Sequence, residues 1–137
     1  MRATICTFVL AAAAAVPLMA QSPDLSGTWQ SETNGSQKWV IEQKSDKIHF
    51  KEMDGDKIAV DFTCSLYGQE CLAKFDGHSE KITMYFNGNK LVELRERGSQ
   101  TIKQRLALTA GGKTLTVETV PLDSNQKTEM ESFRSVS

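Results

Sequence analysis

The sequence predicts an all-β protein, an antiparallel up-and-down β-barrel of about 8–10 strands, with an open two-sheet sandwich as the competing architecture. Two observations lead there. From Trp29 onward apolar residues recur with a period of two, and clusters of Gly, Asn or Asp interrupt them every eight to twelve residues. No stretch longer than a few residues carries the 3.6-residue periodicity and caps of a helix. A chain of sequential hairpins without a long crossover is a meander, and closing it removes the exposed edges.

The strands follow in order. Residues 27–30 form the first and residues 38–43 the second, separated by a polar turn around Asn34-Gly35-Ser36. That triplet also matches a glycosylation acceptor, although its composition is sufficiently explained as a turn. Ile48 and Phe50 alternate with His49 and Lys51 before the turn at Asp54-Gly55-Asp56. Ile58, Val60, Phe62 and Cys64 then alternate with Ala59, Asp61 and Thr63. Cys71, Ala73 and Phe75 share a face up to the Asp76-Gly77 turn, and Ile82, Met84 and Phe86 share one up to Asn87-Gly88-Asn89. Val92 and Leu94 oppose Leu91, Glu93 and Arg95; after Gly98-Ser99, Ile102, Gln104, Leu106 and Leu108 oppose Lys103, Arg105 and Ala107. Gly111-Gly112 leads into Leu115, Val117 and Thr119, and a last strand lies near residues 127–136.

The first twenty residues stand apart. One Arg, an apolar run with five consecutive alanines, Pro17 and a small Ala20 make a secretory signal peptide over residues 1–20, with the mature β domain over residues 21–137. The rival, a membrane anchor, is opposed by a marginal length and by Pro17. The expectation is a secreted or periplasmic protein, monomeric, with no stable membrane insertion after cleavage. The chain has 16 basic and 17 acidic residues, and removing the leader takes away only Arg2, so the mature domain is weakly acidic. That charge argues against nucleic acid as a partner.

Of the three cysteines, Cys6 leaves with the leader, and Cys64 and Cys71 remain to pair across a hairpin in an oxidising compartment. Their six-residue spacing differs from the C-x-x-C of redox pairs, and no further ligand makes them a metal site. His49 and His78, the only histidines, lack ligand partners at strand spacing and read as solvated side chains. No nucleophile motif and no phosphate loop marks an enzyme, and neither a cofactor nor a metal is expected.

At Asp24-Leu25-Ser26-Gly27-Thr28-Trp29 the mature chain opens with G-x-W, which resembles the start of calycin-superfamily barrels, the lipocalins and fatty-acid-binding proteins. The hairpins at residues 87–94 and 111–118 look like those of small secreted bacterial lipocalin-like proteins. The resemblance implies that Trp29 plugs one barrel end and that Arg134, on the last strand, packs across it as a structural latch. It also implies a bound ligand, with two departures. The Arg-x-Tyr with which fatty-acid-binding proteins close their site on the last strand is replaced by Arg134-Ser135-Val136, and the helical lid between the first two strands has no counterpart.

The expected function is therefore a secreted, non-enzymatic binding protein that holds a small hydrophobic or amphipathic ligand inside the barrel. Tyr85, Arg95, Arg105 and Glu118 are its candidate lining residues. The charged residues of the late strands, Glu93, Arg95, Arg105, Glu118 and Arg134, either line the interior or face water. The sequence favours water, because Val92, Leu94, Ile102 and Leu106 already offer an apolar face. The alternative function is a secreted protein-binding or inhibitor module acting through its loops, with the Cys64–Cys71 hairpin as a rigid edge.

Overall fold

The computed structural model describes residues 22–75, 77–109, 111–123 and 125–136. The expected leader over residues 1–20 lies outside them. Ten strands make up the fold: β1 Gly27–Ser31, β2 Gln37–Gln43, β3 Lys47–Asp54, β4 Lys57–Ser65, β5 Tyr67–Phe75, β6 His78–Asn87, β7 Lys90–Arg97, β8 Gln100–Leu108, β9 Thr114–Pro121 and β10 Glu129–Val136. Each pairs antiparallel with its neighbours in sequence, and β1 closes onto β10 to complete a barrel. The sandwich is thereby excluded. Among the described residues there is no helix.

Short turns set the register. Gly88 and Gly98, each first in a two-residue loop, have φ of 63° and 60°, a left-handed conformation that only glycine adopts without steric cost. With Asn87 opposite Lys90 and Arg97 opposite Gln100, the position of every β6–β7–β8 side chain follows. Leu91, Glu93 and Arg95 lie across from Phe86, Met84 and Ile82 on one side and from Leu106, Gln104 and Ile102 on the other.

The interior has two halves. One end of the barrel carries the approach to β1 and the β2–β3, β4–β5, β6–β7 and β8–β9 turns; near it Leu25, Trp29, Ile41, Ile48, Phe62, Met84, Leu91, Leu106 and Leu115 are buried. Aromatic rings tie this layer together. Trp39 stacks on Phe133 at 4.3 Å and meets Phe50 edge-on at 5.1 Å, and Phe50 stacks on Phe62 at 5.5 Å. Toward the opposite end, inward positions are taken by Ser31, Glu52, Glu80, Glu93, Arg95 and Glu131.

The Trp29–Arg134 latch implied by the resemblance is not formed. Trp29 is buried and its Nε1 donates to the Leu25 carbonyl at 3.0 Å. Arg134 follows the inward Phe133 and so points outward, where its Nη2 donates to Gln30 Oε1 at 3.3 Å. Side chains alternate along a strand, so Phe133 and Arg134 cannot both face the interior. Phe133 has the inward place.

Cys64 and Cys71 form a disulfide with Cα atoms 5.5 Å apart. Instead of projecting, it lies in the barrel wall, and the single linker residue Leu66 is buried. Among the described residues the β4–β5 ladder has two paired positions, Val60 with Phe75 and Asp61 with Lys74. Continuing that register places Cys64 directly opposite Cys71, so the covalent bond holds a seam where the ladder is sparse. Replacing both cysteines by Ala is expected to lower the unfolding free energy by about 2–3 kcal/mol, the loop-entropy value for a short closed loop. Urea unfolding of the variant and of the reduced wild type checks this: the two losses should agree.

Candidate functional site

The charged cluster in the polar half of the interior is built from three strands. Glu52 extends the inward row of Ile48 and Phe50 on β3, Glu80 precedes Ile82 and Met84 on β6, and Glu93 and Arg95 follow Leu91 on β7. The ladder gathers their side chains around one guanidinium. Arg95 Nη2 lies 3.0 Å from Glu52 Oε1 and 2.9 Å from Glu93 Oε1, and its Nε lies 3.7 Å from Glu80 Oε2. Its Cζ also sits 4.4 Å above the Phe75 ring, where the π face attracts the cation.

The cluster reaches the rim. Arg97 Nε and His78 Nε2 approach the same Glu80 oxygen, at 3.4 Å and 3.1 Å, and His78 stacks on Phe75 at 5.7 Å. His78 is thus exposed, as its sequence context predicts, yet it is the first residue of β6 and is attached to the cluster. Deeper on the β8–β9 wall, Gln104 Nε2 donates to Thr119 Oγ1 at 3.2 Å. On β1 and β10, Ser31 Oγ donates to Glu131 Oε1 at 2.6 Å.

Burial makes these contacts consequential. Glu93 is 1% exposed and Glu80 4%. Desolvation, the largest influence on Glu93, disfavours its charged form; Arg95 opposes this, but the carboxyl is still held above its ordinary range. For Arg95, burial would lower proton affinity, but the summed attraction of Glu93, Glu52 and Glu80 outweighs it and keeps the guanidinium charged. Among the buried polar atoms, Glu93 Oε2 and the indole Nε1 of Trp39 have no hydrogen-bond partner, Glu80 Oε2 and Arg95 Nε have only their mutual ion pair at 3.7 Å, and Glu93 Oε1 has only its ion pair with Arg95. Trp39 is cross-strand partner to Glu52, so its position adjoins the cluster.

The candidate residues read from the sequence separate here. Arg95 is central to the cluster. Arg105 and Glu118 are partners across β8 and β9 on the outer face, joined at 3.1 Å. Tyr85 alternates with the inward Met84 and Phe86, and borders a cleft of about 300 Å³ at the Leu25 end with Ser22, Gln43, Ser45, Leu66, Tyr67 and Phe86. Glu52 and Glu80 are not among the candidates, and Glu93 stands only with the charged late-strand residues that the sequence favours facing water. For Glu52 and Glu80 a signal exists: each ends a row of apolar residues at a spacing of two, whereas Glu93 follows only Leu91. A cleft of about 220 Å³ lined by Asn34, Gln37, Glu52, Met53, Asp54 and Ala59 opens beside the cluster. No group of three or more potential metal ligands occurs among the described residues.

No family model and no curated protein matches the sequence. Solved structures do match in shape. The REP1-NXSQ fatty acid transporter aligns with a TM-score of 0.66 at 18% identity, covering 82% of this chain and 96% of its own. A Schistosoma mansoni fatty acid binding protein in complex with arachidonic acid gives 0.64 at 16%, with coverages of 82% and 96%. Secretory abundant heat soluble protein 4 from Ramazzottius varieornatus gives 0.64 at 17%, with 87% and 100%.

The fold is that of the fatty-acid-binding-like barrels. Residues 32–36 connect β1 to β2 without a helix, and the inward positions of β10 are Glu131 and Phe133.

Proposed function

We propose that this protein is an exported, non-catalytic carrier that holds a small amphipathic molecule in its barrel, entering at the end formed by the β1–β2, β3–β4 and β5–β6 turns. The observation that carries the reading is the amphipathic interior: an aromatic and aliphatic layer next to a buried cluster of carboxyls around one guanidinium, where Glu93 Oε2 and Trp39 Nε1 lack hydrogen bonds. Buried polar groups are almost always satisfied, and each unsatisfied one costs about 1–3 kcal/mol. A ligand with a polar head and a short apolar body would meet both halves. The fatty acid transporter and the arachidonic-acid complex among the structural neighbours support a ligand-binding role for a barrel of this shape. Export is supported by the apolar leader and by the Cys64–Cys71 disulfide.

The ligand is small. Ring stacking of Trp39, Phe50, Phe62 and Phe133 occupies much of the apolar half, and the cleft at Glu52 is below the roughly 300–1,000 Å³ of drug-sized pockets. Native mass spectrometry of the protein purified from its own host is expected to display a fraction with one bound small molecule. Adding the extracted molecule back at about a hundredfold its Kd should stabilise the fold by about 2.7 kcal/mol. A single apo mass, with no stabilisation by any small molecule of the host extract, would refute the reading.

A further inference from the structure

We propose that the ligand's head group is an ammonium carrying a neighbouring hydroxyl or carbonyl, and not a carboxylate. This inference rests on the carrier reading and specifies the chemistry of that same site. Charge is the first argument. Glu52, Glu80 and Glu93 surround a single buried cation, Arg95; Arg97 assists only at the rim, where its side chain is 61% exposed. Glu131 adds a fourth inward carboxyl nearby, bonded to a neutral hydroxyl. Even with Arg97 counted, three carboxyls face two guanidiniums, and a carboxylate head would add to that excess. An ammonium would offset it.

The second argument is independent of charge and lies in the unpartnered atoms. Two are acceptors: Glu93 Oε2, which has no partner, and Glu80 Oε2, which has only the ion pair to Arg95 Nε at 3.7 Å, and an ammonium brings up to three donors. Two are donors: Arg95 Nε, with only that same 3.7 Å ion pair, and Trp39 Nε1, whose residue is 3% exposed and which has no hydrogen-bond partner among the described residues. A bare alkylammonium leaves those donors unsatisfied, whereas an oxygen one or two atoms away from the nitrogen would accept from them. The set of atoms is therefore complementary to an amino-alcohol-like or amino-carbonyl head more than to a purely cationic one. The apolar layer at Trp39, Phe133 and Phe50 is where a short hydrocarbon body would lie.

The last strand agrees: its inward positions are taken by Glu131 and Phe133, an acid and an apolar ring. A carboxylate brought against Glu131 would be repelled.

Calorimetric titration with octylamine, 2-amino-1-octanol, octan-1-ol and octanoate tests the proposal on the full mature chain. The amino alcohol is expected to bind tightest, with octylamine next and octanoate at least about tenfold weaker than octylamine. Glu93→Gln, close to isosteric, is expected to reduce the preference for octylamine over octan-1-ol by about tenfold while leaving octan-1-ol affinity unchanged. Glu52→Gln serves as a second variant should Glu93→Gln fail to fold by circular dichroism, with the same expected direction. Octanoate binding as tightly as octylamine would overturn the head-group proposal and leave the carrier reading standing. Absence of binding by all four probes would overturn both.

Discussion

Trp29→Ala is expected to lower the unfolding free energy by about 3–5 kcal/mol, the range for removing a fully buried large aromatic side chain. Trp29 lies across from Trp39 on β2 and Ser135 on β10, at the closure of the barrel, and its indole holds the buried Leu25 segment through the 3.0 Å hydrogen bond to the Leu25 carbonyl. The substitution leaves a cavity at the Leu25 end and releases the only side-chain tie to that carbonyl among the described hydrogen bonds. Arg134→Ala, in contrast, removes an exposed side chain whose one described contact is Gln30, and should cost less than about 1 kcal/mol. Urea unfolding of the two variants separates the observed arrangement from a Trp–Arg latch. Comparable large losses in both would contradict the outward position of Arg134.

Arg95→Met is the second large effect, with an expected loss of about 3–5 kcal/mol at neutral pH, because it strands three carboxyls that share one buried cation. The loss depends on pH, and its direction follows from Glu93. In the wild type that carboxyl binds its proton more tightly folded than unfolded, so its contribution to stability is fully present below its ordinary value of 4.5 and is lost as pH rises through the higher folded value. Removing Arg95 removes the attraction that opposes desolvation, so the folded value climbs further and the loss extends to higher pH. The gap between Arg95→Met and wild type is accordingly largest near neutrality and narrows on acidification toward 4.5. Unfolding free energies measured across that range check it. A gap that stays constant with pH would mean that the carboxyls do not depend on Arg95. In Glu93→Gln the part of the wild-type pH dependence due to this carboxyl should vanish.

Arg95 illustrates how far the sequence could be read. Its strand and its alternation with Leu94 were plain, but β7 has apolar residues on both faces: Leu91 on one, Val92 and Leu94 on the other. Alternation alone gave no reason to prefer the face with Glu93 and Arg95 as the inner one, and counting apolar residues favoured the wrong face. Val92 is in fact buried on the outside, flanked by its cross-strand partners Tyr85 and Arg105. The hairpins held the missing information. Counting back from the two-residue loop at Gly88 puts Glu93 beside Met84 and Arg95 beside Ile82, and counting forward through the Gly98 loop puts Arg95 beside Ile102. Arg105 and Glu118 were selected by the same undivided reading of charge, and the same registers place them outside.

Glu52 and Glu80 were overlooked for a related reason. Each terminates an apolar row near a turn, where a charged side chain ordinarily reaches water. Only closure of the sheet brings β3, β6 and β7 close enough for carboxyls from all three to meet one guanidinium.

What local pattern settled was the set of strands, their turns, the pairing of Cys64 with Cys71 and the meander order, because each depends on residues close together in the chain. Period-two alternation, turn chemistry at Gly88 and Gly98, and a hairpin-sized cysteine spacing are all of that kind. Tertiary structure decided which face of β7 is inside, that β1 closes on β10, that Phe133 and not Arg134 faces the core, and that an acidic chamber surrounds Arg95. Alternation within a strand fixes only relative sides. The absolute side, and with it the chemistry of the interior, depends on ladder registers accumulated over ten strands and on the desolvation that closure imposes.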